Sequence, residues 1–121
     1  MKKIVVIDDQ RDILSFLEKS LRGAGYDVVS LQVTPRVEDL LDEKADVVLI
    51  DLLMPERMGY ELGRHIIEAR QGNSPRVALI SGRNEDILRK KAEEIGADGY
   101  LAKPFSLEDL FALIENIVDE K

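Results

Sequence analysis

Acidic side chains end two of the most apolar segments of this sequence. Asp8 and Asp9 directly follow the run "KIVVI", and Asp51 follows the run "DVVLI". Two further apolar runs end on a hydroxyl group and an ammonium group, those of Ser81 and Lys103. Carboxylates that lie close together repel one another unless a cation neutralises them. Oxygen ligands without His or Cys suit a hard divalent ion, so we expect Mg²⁺, with Mn²⁺ as an alternative.

These residue types together indicate phosphoryl chemistry. A metal ion, an ammonium group such as that of Lys103 and a hydroxyl such as that of Ser81 can stabilise the oxygens of a transferring phosphoryl group. A carboxylate can itself accept the group as an acyl phosphate. Each feature alone has a simpler explanation, because an Asp at a strand end often caps a helix or lies in a solvated turn. The combination at four strand ends favours a phosphoryl site.

Five short apolar segments are predicted to be strands, and the segments between them have helical spacing. Apolar residues run continuously rather than alternately in the strands, which is typical of a parallel sheet buried on both faces. The predicted strands are 3–8, 27–33, 46–52, 76–81 and 99–103, and the predicted helices are 10–22, 35–43, 59–71, 84–97 and 106–119. Right-handed crossovers then place helices on both faces of the sheet. Ligands bind beyond the carboxyl ends of such strands, where the acids would converge.

Residues that favour helix ends support these boundaries. Asn84 and Ser106 are predicted N-caps, with Asp109 as an acid in the first turn of the last helix. Gly96 is a predicted C-cap. Pro35 is expected at the first position of the second helix.

Composition restricts the class of protein. The chain has 121 residues, of which 45% are apolar, and this predicts a single domain over residues 1–121. The net charge of −7 disfavours direct nucleic-acid binding, which needs a basic face. The absence of Cys excludes disulfides and thiolate chemistry. We expect no secretory signal and no membrane segment, and therefore a cytoplasmic protein.

The ordered motifs resemble the receiver domains of two-component response regulators. The matching stretches are "IDD" at 7–9, "DLLMPERMG" at 51–59, "LISG" at 79–82 and "YLAKPF" at 100–105. The resemblance covers essentially the whole chain. It implies an α/β fold, namely a flavodoxin-like, doubly wound, five-stranded parallel sheet of order 2-1-3-4-5 with helices on both faces.

The resemblance also implies roles for individual residues. Asp51 would be the phosphorylated residue, and Ser81 and Lys103 would contact the phosphoryl group. Asp8, Asp9, Asp51 and the backbone carbonyl of Leu53 would hold Mg²⁺. Tyr100 would move inward with Ser81 as the switch, and the bond before Pro104 is a candidate cis peptide.

Two positions that flank the phosphoryl group in relatives carry Leu53 and Arg83 here. The apolar Leu53 would hinder an attacking water, and Arg83 would hold a phosphoryl oxygen. We therefore expect a long-lived phospho-form. Met58 replaces an acid that family members often carry just before the Gly of this loop. This removes one loop charge and leaves the core chemistry intact.

The resemblance implies partners as well. The phosphoryl donor would be a sensor histidine kinase or a histidine phosphotransfer protein that docks at the first helix, beside Asp8 and Asp9. The surface around the fourth helix, the fifth strand and the fifth helix would change to control a partner or an output domain. A dimer formed on phosphorylation is a further expectation. The sequence leaves open whether the chain is a stand-alone receiver or part of a longer regulator.

Two alternatives belong to other classes of protein, and a third is a receiver-like interaction module. A phosphatase with an aspartyl nucleophile usually has a second Asp two residues later, where this chain has Leu53. A flavodoxin needs a phosphate-binding loop after its first strand, and the acids of "DDQRD" would repel a phosphate there. A receiver-like module that is never phosphorylated is disfavoured by the complete set of acids.

Overall fold

The computed structural model describes residues 2–32, 35–52, 56–82 and 84–118, and strands alternate with helices along them. For residues 56–58 it describes the backbone only. The strands are β1 (Lys3–Ile7), β2 (Asp27–Leu31), β3 (Val47–Asp51), β4 (Arg76–Ser81) and β5 (Gly99–Ala102). The helices are α1 (Arg11–Gly23), α2 (Val37–Asp42), α3 (Glu56–Ala69), α4 (Glu85–Ile95) and α5 (Leu107–Val118).

All five strands form one parallel sheet in the order β2-β1-β3-β4-β5. This is the predicted order, so the expected doubly wound α/β fold is confirmed. Strands β1 and β3 are the inner strands that meet where the chain reverses its direction across the sheet. That position is where such folds bind ligands.

Alternate residues of each inner strand face two separate hydrophobic cores. Val5 and Ile7 of β1 pack in the core that α2, α3 and α4 cover. Ile4 and Val6 pack in the core that α1 and α5 cover. Because both faces are buried, these strands read as continuous apolar runs in the sequence.

The helix ends show which local signals were informative. Asn84 Oδ1 accepts a hydrogen bond from Asp86 N at 2.8 Å, and Gly96 ends α4 in the left-handed region with φ 78°. Ser106 and Asp109 form a reciprocal pair of bonds at the start of α5, each 3.1 Å long. These three predicted caps are confirmed.

The prediction for Pro35 is wrong. Helix α2 begins at Val37, because Arg36 is still extended with φ −73° and ψ 145°. The fixed φ of a proline fits an extended segment as well as a first helical turn, so Pro alone does not locate the helix start.

Candidate functional site

The strand register brings the predicted site residues to one edge of the sheet. Ile7 of β1 pairs with Ile50 of β3, so the next residues along, Asp8 and Asp51, emerge at the same level on neighbouring strands. Ser81 closes β4, pairing with the last residue of β5, and Lys103 follows directly. Four side chains that are distant in sequence therefore lie at the carboxyl ends of adjacent strands.

A buried ion pair joins two of these residues. Lys103 Nζ lies 2.6 Å from Asp51 Oδ2, and the Asp51 side chain has no solvent exposure while that of Lys103 has 21%. An ion pair in such a low-dielectric setting is stronger than one at the surface. The backbone nearby is also fixed, since Lys103 N donates to Ser81 O and Leu52 N donates to Ile80 O, both at 2.8 Å.

Asp8 is a buried carboxylate with one oxygen unsatisfied. Its Oδ1 accepts a hydrogen bond from Gln10 N at 2.9 Å, whereas Oδ2 is buried without a partner. Burial, and then the nearby Asp51 carboxylate, raise the pKa of Asp8 to about 7, although the Gln10 bond and Lys103 oppose the rise. Asp8 and Asp51 can hydrogen-bond directly only if one of them carries a proton.

Asp9 does not join these two carboxylates. It is exposed, and the described residues contain no group of three His, Cys, Asp or Glu side chains arranged to hold a metal ion. The expected convergence of three acids is thus seen for Asp8 and Asp51 only. Asp9 differs because it is the second residue beyond β1, where the chain has left the sheet for solvent.

The residues present nevertheless fit a hard cation. The side chains that meet here offer carboxylate oxygens, and the unsatisfied Oδ2 of Asp8 is directed to a buried place beside Asp51. Carboxylate oxygens are among the ligands that Mg²⁺ prefers. The predicted fourth ligand, the carbonyl of Leu53, lies outside the described residues, as does Arg83.

The predicted switch residues, Ser81 and Tyr100, lie on the neighbouring strands β4 and β5. Ser81 is buried at the end of β4 with 3% exposure. Tyr100 of β5 is half-buried and packs against the core beneath α4. The peptide bond between Lys103 and Pro104 is cis, as the resemblance implies.

Sequence reasoning missed one close contact beside Asp51. Gly59 of α3 lies so near Leu52, the residue after Asp51, that a Cβ at this position would collide with the Leu52 side chain. The sequence signal was present, since a glycine weakens a helix and needs a reason there. Helix α3 can approach Leu52 closely because position 59 has no side chain.

The parallel α/β sheet and the buried aspartate–lysine pair at the carboxyl ends of its strands fit the receiver domains that the sequence motifs resemble. The family comparison agrees. Residues 4–115 match the model of the response regulator receiver domain. The chain belongs to this family.

Relatives and solved structures give the same result. The chain is 33% identical to the transcriptional regulatory protein CpxR of Escherichia coli K12 over 98% of its own length and 50% of that protein. It is also 33% identical to the response regulator DrrB of Thermotoga maritima, covering 98% of this chain and 53% of that one, with a TM-score of 0.80. The chemotaxis protein CheY4 of Vibrio cholerae shares the fold, with a TM-score of 0.85, 23% identity, and coverage of 97% and 98%.

The chain spans about half the length of the curated relatives it matches. In the part of the chain that the structure describes, no helix has the length and apolar character needed to cross a membrane.

Proposed function

We propose that this receiver domain is a signalling switch in which Asp51 accepts a phosphoryl group. The observation that carries the proposal is the buried ion pair of 2.6 Å between Asp51 and Lys103, with Asp8 beside it. A buried carboxylate that is held by an ammonium group, and that ends an inner strand, is positioned as a nucleophile rather than as a solvated turn residue.

Asp8, Asp9, Asp51 and the Leu53 carbonyl would hold Mg²⁺ at this site. When bound, the ion would supply positive charge that neutralises the carboxylates and stabilises phosphoryl oxygens. Asp9 is exposed next to Asp8, so it can reach such an ion only by a change of side-chain conformation.

The transfer itself needs only the carboxylate and a donor. An Asp51 oxygen attacks phosphorus, and the bond from phosphorus to the donor breaks. The electron pair of that bond goes to the leaving group, which is an imidazole nitrogen if the donor is a phosphohistidine. Lys103 and Ser81 would hold phosphoryl oxygens during this step. The chain has no other catalytic role in this proposal, apart from slow hydrolysis of its own acyl phosphate.

The phosphorylated state would be read out on the face formed by α4, β5 and α5. Ser81 would move toward the phosphoryl group, and Tyr100 would follow it inward. A groove of about 780 Å³ already opens between these elements, and Tyr100 and Lys103 both line it. A shift from mostly inactive to mostly active requires roughly 3–5 kcal/mol of differential binding. Since one charge-assisted hydrogen bond gives about 1.5–3 kcal/mol, several contacts of the phosphoryl group must act together.

The donor would be a sensor histidine kinase or a histidine phosphotransfer protein that docks on α1. This helix starts two residues after Asp9, and its Phe16 is a large apolar side chain with 51% exposure. An exposed aromatic residue is a common anchor of protein interfaces. Phe16 therefore supports docking of the donor close to the acceptor.

The output is a partner protein or an output domain. One relative is a transcriptional regulatory protein, and this chain spans half of it. We infer that the chain controls an output of the same kind through a phosphorylation-dependent dimer, without contacting nucleic acid itself, and that it acts in the cytoplasm.

The test is incubation with acetyl phosphate and Mg²⁺ followed by measurement of the intact mass. Wild type should gain the mass of one phosphoryl group, and Asp51→Asn should gain none. Phe16→Ala should be labelled normally by acetyl phosphate and more slowly by the donor protein, because only the second reaction needs docking.

Asp46→Asn is the matched control. Asp46 lies just before β3, at the opposite end of that strand from Asp51, and its Oδ2 accepts from Lys3 N at 2.8 Å. This variant should be labelled like wild type. Equal labelling of wild type and Asp51→Asn would contradict the assignment of the acceptor.

A further inference from the structure

A second ionic cluster lies at the amino-terminal ends of β4 and β5, away from the site at their carboxyl ends. Asp98 Oδ2 accepts from Arg70 Nη1 at 2.7 Å, and Arg76 Nη1 lies 3.5 Å from Asp98 Oδ1. The side chains of Arg70 and Asp98 are only 10% and 11% exposed. Three charged groups are rarely buried together without a structural demand that they meet.

Asp98 binds both backbone groups of one residue on the neighbouring strand. Asp98 N donates to Val77 O at 2.8 Å, and Val77 N donates to Asp98 Oδ2 at 2.8 Å. Arg70 holds the same carboxylate and also donates to Pro75 O at 3.0 Å. The start of β5 is thereby attached to β4, to the loop before β4 and to the end of α3.

Strand β5 needs such an attachment more than the inner strands do. It has four residues, all half-buried, and it is an edge strand that pairs with β4 alone. A slip of one residue in register would exchange the two faces of the strand. In β3 and β4, fully buried side chains prevent such a slip. Strand β5 has no fully buried side chain, so it resists a slip less well.

The register of β5 determines where Lys103 lies. Lys103 is the first residue after the strand, five residues and about 16 Å of extended chain beyond Asp98. Its N–H donates to Ser81 O at 2.8 Å, and its ammonium group pairs with Asp51. A change of register at the Asp98 end would break both contacts at the other end.

We propose that Asp98, held by Arg70, is a positioning residue for the acceptor site, because it fixes the register of β5 and so brings Lys103 to Asp51. The part of this inference that concerns phosphorylation rests on the proposed function. The part that concerns the strand can be tested without it.

The experiment is amide hydrogen exchange of the full chain, followed residue by residue by NMR. Asp98→Ala should accelerate exchange at the Lys103 amide at least about tenfold relative to amides of β3 in the same variant. Asp98→Asn keeps an oxygen for Val77 N, so it should give a smaller selective effect. Arg70→Met removes the ion pair with Asp98 and the bond to Pro75 O but leaves both bonds between Asp98 and Val77, so it should also give a smaller selective effect. These two variants test the inference even if Asp98→Ala does not fold.

Glu18→Ala is the matched control on the other edge strand. Glu18 of α1 accepts from Ser30 Oγ of β2 at 2.7 Å and pairs with Arg22 at 2.8 Å. This variant loses a helix-to-edge-strand contact of the same kind, and exchange at Lys103 should stay at the wild-type rate.

Labelling by acetyl phosphate completes the test. Asp98→Asn and Arg70→Met should be labelled several-fold more slowly per folded molecule than wild type, and Glu18→Ala should not. Uniform loss of protection across the sheet, or normal labelling despite a loosened β5, would overturn the inference. If wild type itself is not labelled, the proposed function fails, whereas the exchange data still decide whether Asp98 fixes β5.

Discussion

Replacing Asp8 by Asn should change how the stability of the protein depends on pH. Asp8 is fully buried, its Oδ2 has no hydrogen-bond partner, and it lies beside the Asp51 carboxylate. These features favour the protonated form in the folded protein and raise the pKa of Asp8 from 3.8 to about 7. The asparagine side chain has the same shape and no charge, so it avoids the cost of burying a carboxylate.

The direction in which stability changes with pH follows from proton binding. The folded protein binds this proton more tightly than the unfolded chain does, so stability is highest below the unfolded pKa and falls as the pH rises towards about 7. At about 1.4 kcal/mol per pH unit, the full penalty on the folded state approaches roughly 4 kcal/mol. Between about pH 5 and about pH 8, the free energy of unfolding should fall by roughly 2–3 kcal/mol because of Asp8.

The assay is urea unfolding of wild type and Asp8→Asn across this pH range with a chelator present. We expect the variant to be more stable at the alkaline end and the difference to shrink as the pH falls. Asp9→Asn removes a charge from the exposed neighbouring position and controls for the change in net charge. Parallel stability curves for wild type and Asp8→Asn would show that the pKa of Asp8 is not raised in the folded protein.

Three further predictions follow from the contacts at the site and at β5. Lys103→Met should lower the free energy of unfolding by about 3 kcal/mol in urea titrations near pH 8, because the buried Asp51 carboxylate loses the ammonium group 2.6 Å away. Gly99→Ala should cost about 1–3 kcal/mol in thermal unfolding, because a Cβ there would lie 2.7 Å from Leu113 Cδ1. The phospho-form should persist for minutes or longer in time-resolved mass measurements, since Leu53 would hinder attack by water; loss within seconds at neutral pH with Mg²⁺ would contradict this.

Two of these changes have matched controls. The double variant Asp51→Asn/Lys103→Met should recover much of the lost stability, because position 51 then carries no charge that needs the ammonium group of Lys103. Gly82→Ala should be tolerated far better than Gly99→Ala, since among the described residues, its chain neighbours aside, no atom lies within 4 Å of a Cβ added at Gly82. Equal losses for the two glycine variants would argue against close packing as the cause.

The fold was largely predictable because its signals are local. Continuous apolar runs predicted all five strands, and the run at 76–81 coincides with β4. Caps with a side-chain bond or a left-handed glycine, such as Asn84 and Gly96, located helix ends well. Pro35 did not, because a proline fits both an extended segment and a first helical turn.

Which residues form the site was largely predictable from the sequence, but their exact arrangement was not. The resemblance to receiver domains implied the strand order, so a meeting of Asp51 with Lys103, 52 residues apart in sequence, could be expected. The exposed position of Asp9 could not, because it depends on where the chain leaves the sheet. The pairing of Arg70 with Asp98 joins residues that are 28 apart in sequence, and no local sequence pattern predicts it.

Site mapping of the acyl phosphate would show whether Asp51 accepts the phosphoryl group. Borohydride reduces an aspartyl phosphate to homoserine, so peptide sequencing by mass spectrometry after reaction with acetyl phosphate locates the modified residue. The account predicts homoserine at position 51 and an unchanged aspartate at positions 8 and 9. Modification at position 8 or 9 with an intact Asp51, or none at any aspartate, would contradict it.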